Sequence, residues 1–230
     1  MTTSGTTSFN MTIEEMVEEA YQRCGLAVNS GYDLKRARVL LNLIFSEWGN
    51  RGVHLWKVEL TVQALTQGTA TYTTPTTTND VLEAYISSSS SNTTSTQDVS
   101  LSKIDRSTYA GLPNKGQTGT PSQYYVDRQI TPTITLYQTP DLNTYTYLKY
   151  YTIQRIEDTG AYSNTPDVPF RFLPCLISGL AFYISQAKAP EKTEQLKMLY
   201  EDELQRALIE DSAATSLFIS PANYYPSGSF

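Results

Sequence analysis

One histidine, His54, and two cysteines, Cys24 and Cys175, are all that 230 residues provide of the side chains most used for nucleophilic and metal chemistry near neutral pH. His54 follows the turn at Gly49 to Gly52 and has no Ser/Asp or Cys partner at motif spacing, so no triad is nominated and a turn role is expected. Both cysteines lie inside helix-like apolar patterns without metal or redox spacing, which makes them expected buried free thiols and leaves no metal site to name.

Positive charge is also short. Seventeen Lys and Arg stand against twenty-three Asp and Glu, for a net charge of −6 and a pI near 4.9. Residues 1–57 balance six basic against six acidic, 58–166 carry six against nine, and 167–230 five against eight. No segment has the clustered Lys and Arg with which proteins grip nucleic-acid phosphates. Nor does an uninterrupted apolar run reach the roughly 18 to 20 residues of a bilayer span, so no membrane is expected. Met1 to Ser8 lacks the basic and apolar parts of a signal peptide and is read as a disordered start.

Other sites fail on spacing. Gly111 to Thr118 superficially resembles a phosphate loop, but Gln117 follows Gly116 where Lys is required, so a glycine-rich loop is expected and no cofactor. Glu157 and Asp158 are adjacent, and on a strand they point to opposite faces. Glu14, Glu15, Glu18, Glu19 and Glu201 to Glu203 read as solvated helix faces. The sequence therefore predicts a protein that is not an enzyme.

What the chain does have is two kinds of hydrophobic period. Thr12 with Glu15 forms a capping box before Ile13, Met16, Val17, Ala20, Tyr21 and Cys24, with Met11 and Met16 placed as a staple and Gly25 as the stop. A second helix over Asp33 to Gly52, with Asp33 as N-cap, shows Leu34, Ala37, Leu40, Leu41, Ile44, Phe45 and Trp48 on one face. These two helices are expected to form an antiparallel hairpin with facing stripes. From Trp56 the period falls to 2, and candidate strands follow at 70–74, 81–87, 98–103, 123–129, 133–138 and 144–155, separated by turn residues and expected to pair antiparallel. Ser87 to Thr96 reads as a mobile hairpin tip. Helical period returns in Phe172 to Lys188, apolar nearly all round and hence central, with Pro174 near its start. Glu191 to Asp211 follows, with Leu196, Leu199, Tyr200, Leu204, Ala207 and Leu208 toward the core.

The predicted fold class is α+β: a four-helix bundle-like domain interrupted by an antiparallel β-sandwich or barrel insertion, with an extended C-terminal tail. The boundaries are 1–8 disordered, 9–55 first helical half, 56–165 β insertion, 166–211 second helical half and 212–230 tail. An inserted domain must leave and rejoin the bundle at adjoining points. In the tail, Leu217, Phe218, Ile219, Pro221, Tyr224, Tyr225, Pro226 and Phe230 have no period of their own. They are expected to dock on a partner subunit, ordering only on assembly. The Tyr-rich stretch Tyr145, Tyr147, Tyr150 and Tyr151 raises an alternative, a glycan- or receptor-binding β module on a helical base. Packing on both faces of a strand is the simpler reading.

Helices, a β insertion, helices and a tail, in this order, resemble the head-to-tail adaptor (connector) proteins of short-tailed bacteriophages. The stretches that carry the resemblance are LLNLIFSEWGNRGVHLW from Leu40, GLPNKGQTGTPSQYYVDRQ from Gly111 and VPFRFLPCLISGLAFYISQ from Val168. The resemblance implies a structural virion protein made in the host bacterial cytoplasm and placed at the neck between capsid and tail. It also implies a homo-oligomeric ring, usually of twelve copies, between the portal protein and the tail nozzle protein, with the C-terminal extension reaching the portal. An acidic ring would let genomic DNA pass without holding it.

Overall fold

The computed structural model describes residues 5–7, 9–53, 55–92 and 97–211. The chain is mixed α+β, with two apolar cores, one under helices and one under a sheet.

Helix α1 spans Ile13–Arg23 and begins with the capping box: Thr12 N donates to Glu15 Oε2 at 2.8 Å and Glu15 N to Thr12 Oγ1 at 3.3 Å. Met11 packs on the same core as the buried Met16. Gly25, at φ +75°, turns the chain out of the helix. Helix α2 spans Gly31–Asn50, two residues earlier than the period suggests. Its N-cap is Ser30, not Asp33. Asp33 is in the first turn, where its carboxylate accepts from Asn29 N and from Lys188. That ammonium holds the carboxyl below the usual range. At the other end Arg51 is the C-cap, and Gly52 at φ +80° closes the turn.

The remaining long helices come after the β part. A 3-10 turn at Phe170–Phe172 leads into α4, Leu173–Lys188, so Pro174 falls in the first turn and removes no helical hydrogen bond. A second 3-10 turn at Pro190–Lys192 leads into the last helix, Thr193–Asp211. α1 and α2 pack mainly on α4 and only lightly on each other, which corrects the facing-stripe hairpin. The reason is α4 itself, buried from Leu173 through Ser185 apart from Pro174, Phe182 and Tyr183, so it occupies the place where the two stripes converge. Together with the 3-10 turn before it, the stretch Phe170–Lys188 is long and apolar enough to cross a bilayer by length and composition alone, yet it is mostly buried among the other helices. Both cysteines are buried free thiols; Cys24 donates to Ala181 O and Cys175 to Phe172 O. Burial pushes the Cys175 thiol up to about 12.

The strands are β1 (Val58–Ala64), β2 (Thr71–Thr73), β3 (Thr78–Ser87), β4 (Asp98–Ile104), β5 (Thr118–Gly119), β6 (Gln123–Asp127), β7 (Thr133–Tyr137), β8 (Thr139–Pro140) and β9 (Tyr147–Gln154). Seven form one sheet in the order β1-β9-β3-β4-β6-β7-β2, and β5 with β8 makes a separate two-stranded ribbon. This is a single curled sheet, not two packed ones. Laid flat, seven strands would hold their edges about 29 Å apart. The chain from Ala64 to Thr71, which joins those edges, reaches at most about 24 Å. Hence the sheet must curl, and Leu65 and Tyr72 from the two edges meet in the core with Ile86, Tyr124, Leu136 and Leu148.

The pairing is not antiparallel throughout: β4 and β6 run parallel, as do β5 and β8. A parallel neighbour needs a crossover, and helix α3, Arg106–Gly111, supplies it. The last long helix is therefore α5. Six residues are too few to show a helical period, although the N-cap Asp105, accepting from Thr108 N at 2.6 Å, is a visible signal. β1 and β9 are paired antiparallel from Val58↔Ile153 to Ala64↔Tyr147, which sets the start and end of the β part side by side next to the helices.

α4 meets α5 closely at Gly179, where a methyl group would stand 2.8 Å from Cε2 of the buried Tyr200 ring. The Tyr200 hydroxyl accepts from Trp48 Nε1 at 2.9 Å, so the ring is held in place. Gly179→Ala should destabilise the protein by about 1–3 kcal/mol, overriding the ~1 kcal/mol gain in helix propensity. Chemical denaturation measures this, and an unchanged or raised midpoint would show that the ring yields.

Candidate functional site

Between α2 and the end of the sheet lies a cleft of about 620 Å³, with Asn42, Phe45, Ser46 and Gly49 on one side and Asn79, Asp80, Arg128 and Arg155 on the other. Its position follows from the fold. The return link from β9 to α4 is stitched to α2 by Thr159, whose N and Oγ1 donate to Asn42 Oδ1 at 2.9 and 2.8 Å. It is stitched to the outgoing strand by Lys57, 2.5 Å from Asp167 Oδ2, while Trp56 Nε1 donates to Asp167 O at 3.3 Å. Trp56 also packs its ring on Phe172, with centroids 4.8 Å apart.

The central charge of the cleft, Asp80, is paired. Burial alone would raise the Asp80 carboxyl, but Lys103 at 3.1 and 3.2 Å, the Val81 amide at 2.8 Å and Arg128 outweigh it and hold the pKa below the ordinary value. Arg155 Nε donates to Asn79 Oδ1 at 3.2 Å. A second network ties α2 to the other helices: Arg51 forks onto Glu201 at 2.7 and 2.9 Å and meets Glu47 at 2.5 Å. Tyr183 donates to Glu47 Oε2 at 2.8 Å, and burial with that carboxylate pushes its hydroxyl up to about 12. Neither group was singled out by motif; the Glu47/Arg51 spacing of four is the signal that could have found the second.

The residues singled out from sequence fare unevenly. The eight tail residues Leu217 to Phe230 and His54 lie outside the described residues. Lys115, in the glycine-rich loop, donates to Ala110 O at 2.8 Å and Leu112 O at 3.1 Å, capping α3. Glu157 and Asp158 are beyond the end of β9, in the return link, not on a strand. Of the Ser/Thr loop expected to be a mobile tip, the start has partners: Ser87 is buried, its Oγ donates to Ser89 O, and Ser91 O accepts from Lys149 Nζ at 2.7 Å. Residues 93–96 are outside the description. The Tyr-rich strand forms no stacking platform, because Tyr150 is inside the sheet while Tyr151 faces out. Lys149 between them is 2% exposed and paired with Asp98. In α5, Leu199 is 38% exposed, whereas the period assigns it to the core.

The chain thus has a helical core, a curled sheet and a stitched neck whose cleft is centred on the paired Asp80. The SU10 adaptor protein family model matches residues 11–223, and the chain belongs to that family. It is thus a phage adaptor, a structural protein of the virion. No curated protein matches the chain.

Because the folded-state pKa of Asp80 is depressed, its contribution is complete above the ordinary carboxylate pKa and disappears as pH falls through the folded value. Asp80→Asn should cost about 1–3 kcal/mol at pH 7, at the lower end if solvent screens the exposed Arg128 side. The gap to the parent should begin to narrow once the pH falls below the ordinary carboxylate pKa of about 3.9. Denaturation curves from pH 7 to 3 check this; a gap independent of pH would mean that the ion pairs contribute nothing.

Proposed function

We propose that this adaptor joins the portal to the tail nozzle at the neck of a short-tailed phage, as a ring of copies that leaves a channel for DNA. The observation that carries the reading is the family match across residues 11–223, which takes in both helical halves, the β part and most of the tail. The protein works without catalysis or cofactor, as a spacer with two ends. α5 is fastened to the turn before α4 by Arg171 and Asp211, and the adjacent Phe170 is 67% exposed and edge-packed on Phe9. That exposed aromatic pair, together with the apolar composition of Leu217 to Phe230, supports the portal as a partner.

Deleting residues 212–230 should leave a folded protein that no longer joins the portal, read by co-sedimentation of the two. Undiminished joining would sink the docking role. An acidic passage gives a further expectation: at about 0.15 M salt, where phosphate binders still hold DNA, the purified protein should retain none on a DNA column. Retention there would count against an acidic passage.

A further inference from the structure

The two edges of the curled sheet are unlike. β2, at one edge, is three residues long, while β1, at the other, pairs over all seven of its residues in unbroken register with β9. A free edge of that length invites another strand unless proline, lysine or a bulge blunts it, and Val58–Ala64 contains none of the three. Its one charge, Glu59, stands near its start. Among the described residues β1 is paired on one side only.

What the free side offers follows from the paired side. Glu59 O accepts from Thr152 Oγ1 of β9 and Leu65 N donates to Thr146 O, so the odd-numbered residues turn their backbone groups toward β9. Val58, Leu60, Val62 and Ala64 therefore direct theirs away from the sheet. Their side chains share a face as well. Gln63 meets the hydroxyl of Tyr150, whose ring is inside the sheet, which sets Glu59, Thr61 and Gln63 on the core side and Val58, Leu60 and Val62 on the outer side. Leu60 is directly opposite Tyr151, which is 38% exposed. An apolar stripe thus lies on the outer surface beside unused backbone donors and acceptors, the two things that an added strand takes up.

The place of this edge in the fold identifies the occupant. β1 begins at the neck, where Trp56, two residues before it, packs on Phe172. α5 ends at the same neck, because its last residue, Asp211, is bound to Arg171, the neighbour of Phe172. Residue 216 is five residues beyond Asp211, within about 17 Å of extended chain. From there Leu217, Phe218 and Ile219 form the one run of three apolar residues in 212–230, flanked by Ser216 and Ser220. Phe and Ile favour strands, and Pro221 ends the run because it has no amide to donate. We infer that residues 216–220 add to the free edge of β1 as an eighth strand of the same chain. The new strand runs parallel to β1, since both lead away from the neck, and alternate side chains of the run lie beside Leu60, Val62 and Tyr151. Tyr224, Tyr225 and Phe230 remain for the portal; the pairing concerns the chain before Pro221 and the docking the chain after it.

Residue-resolved amide hydrogen exchange tests the pairing in four proteins: the full chain, chains ending at residue 215 and at residue 220, and a full-length variant with Phe218→Pro and Ile219→Pro, which strips a donor in either register. The Leu60 and Val62 amides point to the free edge, those of Thr61 and Gln63 to β9. In the full chain and the chain ending at residue 220, Leu60 and Val62 should exchange at least about tenfold more slowly than in the other two, while Thr61 and Gln63 change less. Equal exchange in all four proteins means an empty edge and overturns the inference. Protection that grows with protein concentration assigns the strand to another copy, and protection that arises only with the portal assigns it to the portal; either result overturns it too. If the chain ending at residue 220 keeps the protection and still joins the portal in co-sedimentation, the strand stands and the portal contact beyond Pro221 falls.

Discussion

The helical half depends on one constraint: α4 has almost no face that can meet water. A helix apolar on most sides must be surrounded, and here α1, α2 and α5 supply the surroundings, each with one stripe. This places α4 at the hub and explains why its few polar groups are matched from neighbouring helices. Ser178, fully buried, donates to Glu203 and accepts from Arg23, and buried Ser185 meets Thr193 Oγ1 of α5 at 3.1 Å. Gly179 is required at the closest approach to Tyr200. The two halves of the chain, separated by the whole β part, are thus inseparable in packing.

The β part is governed by a different constraint, the short link between its two edge strands. Because β1 and β2 are consecutive in the chain and furthest apart in the sheet, the sheet curls and turns one side into a core. The parallel step from β4 to β6 follows from α3, which carries the chain across. Where this part meets the helices, the contacts are mostly polar: Lys57 with Asp167, Thr159 with Asn42, and the cleft around the paired Asp80. Apolar packing there comes from Trp56 on Phe172 and from Ile156, Tyr162 and Val168, which pack on the helical core. Two separate apolar cores are thus joined by this neck.

The sequence was a better guide to what is periodic than to what is paired. Long helices were legible because eleven to twenty residues sample several turns, and their boundaries fell within a few residues. The N-cap of α2 was misplaced because Ser30 and Asp33 are both good capping residues, and the choice depends on Lys188, far along the chain, holding Asp33 in the first turn. Strand positions were also legible, but partners were not: a run of Thr and Tyr does not say whether its neighbour runs parallel or antiparallel. The cleft was invisible, since Asp80, Lys103 and Arg128 come from three separate strands and loops and share no motif.

α5 shows where a correct period still misleads. Its apolar residues, Leu196, Met198, Leu199, Tyr200, Leu204, Ala207, Leu208 and Ile209, are more than one stripe can hold against one core. Only Leu196, Tyr200, Leu204 and Ala207 are buried. Assigning Leu199 to the core treats every apolar residue near the stripe as interior, whereas Met198 and Ile209 define a second stripe on the outer side. α2 repeats the pattern, with Val39 and Leu43 turned away from the Ala37, Leu41 and Ile44 face. Such an excess costs a monomer solubility and gains it nothing in packing. Both helices thus carry more large apolar side chains than their shared core with α4 takes up.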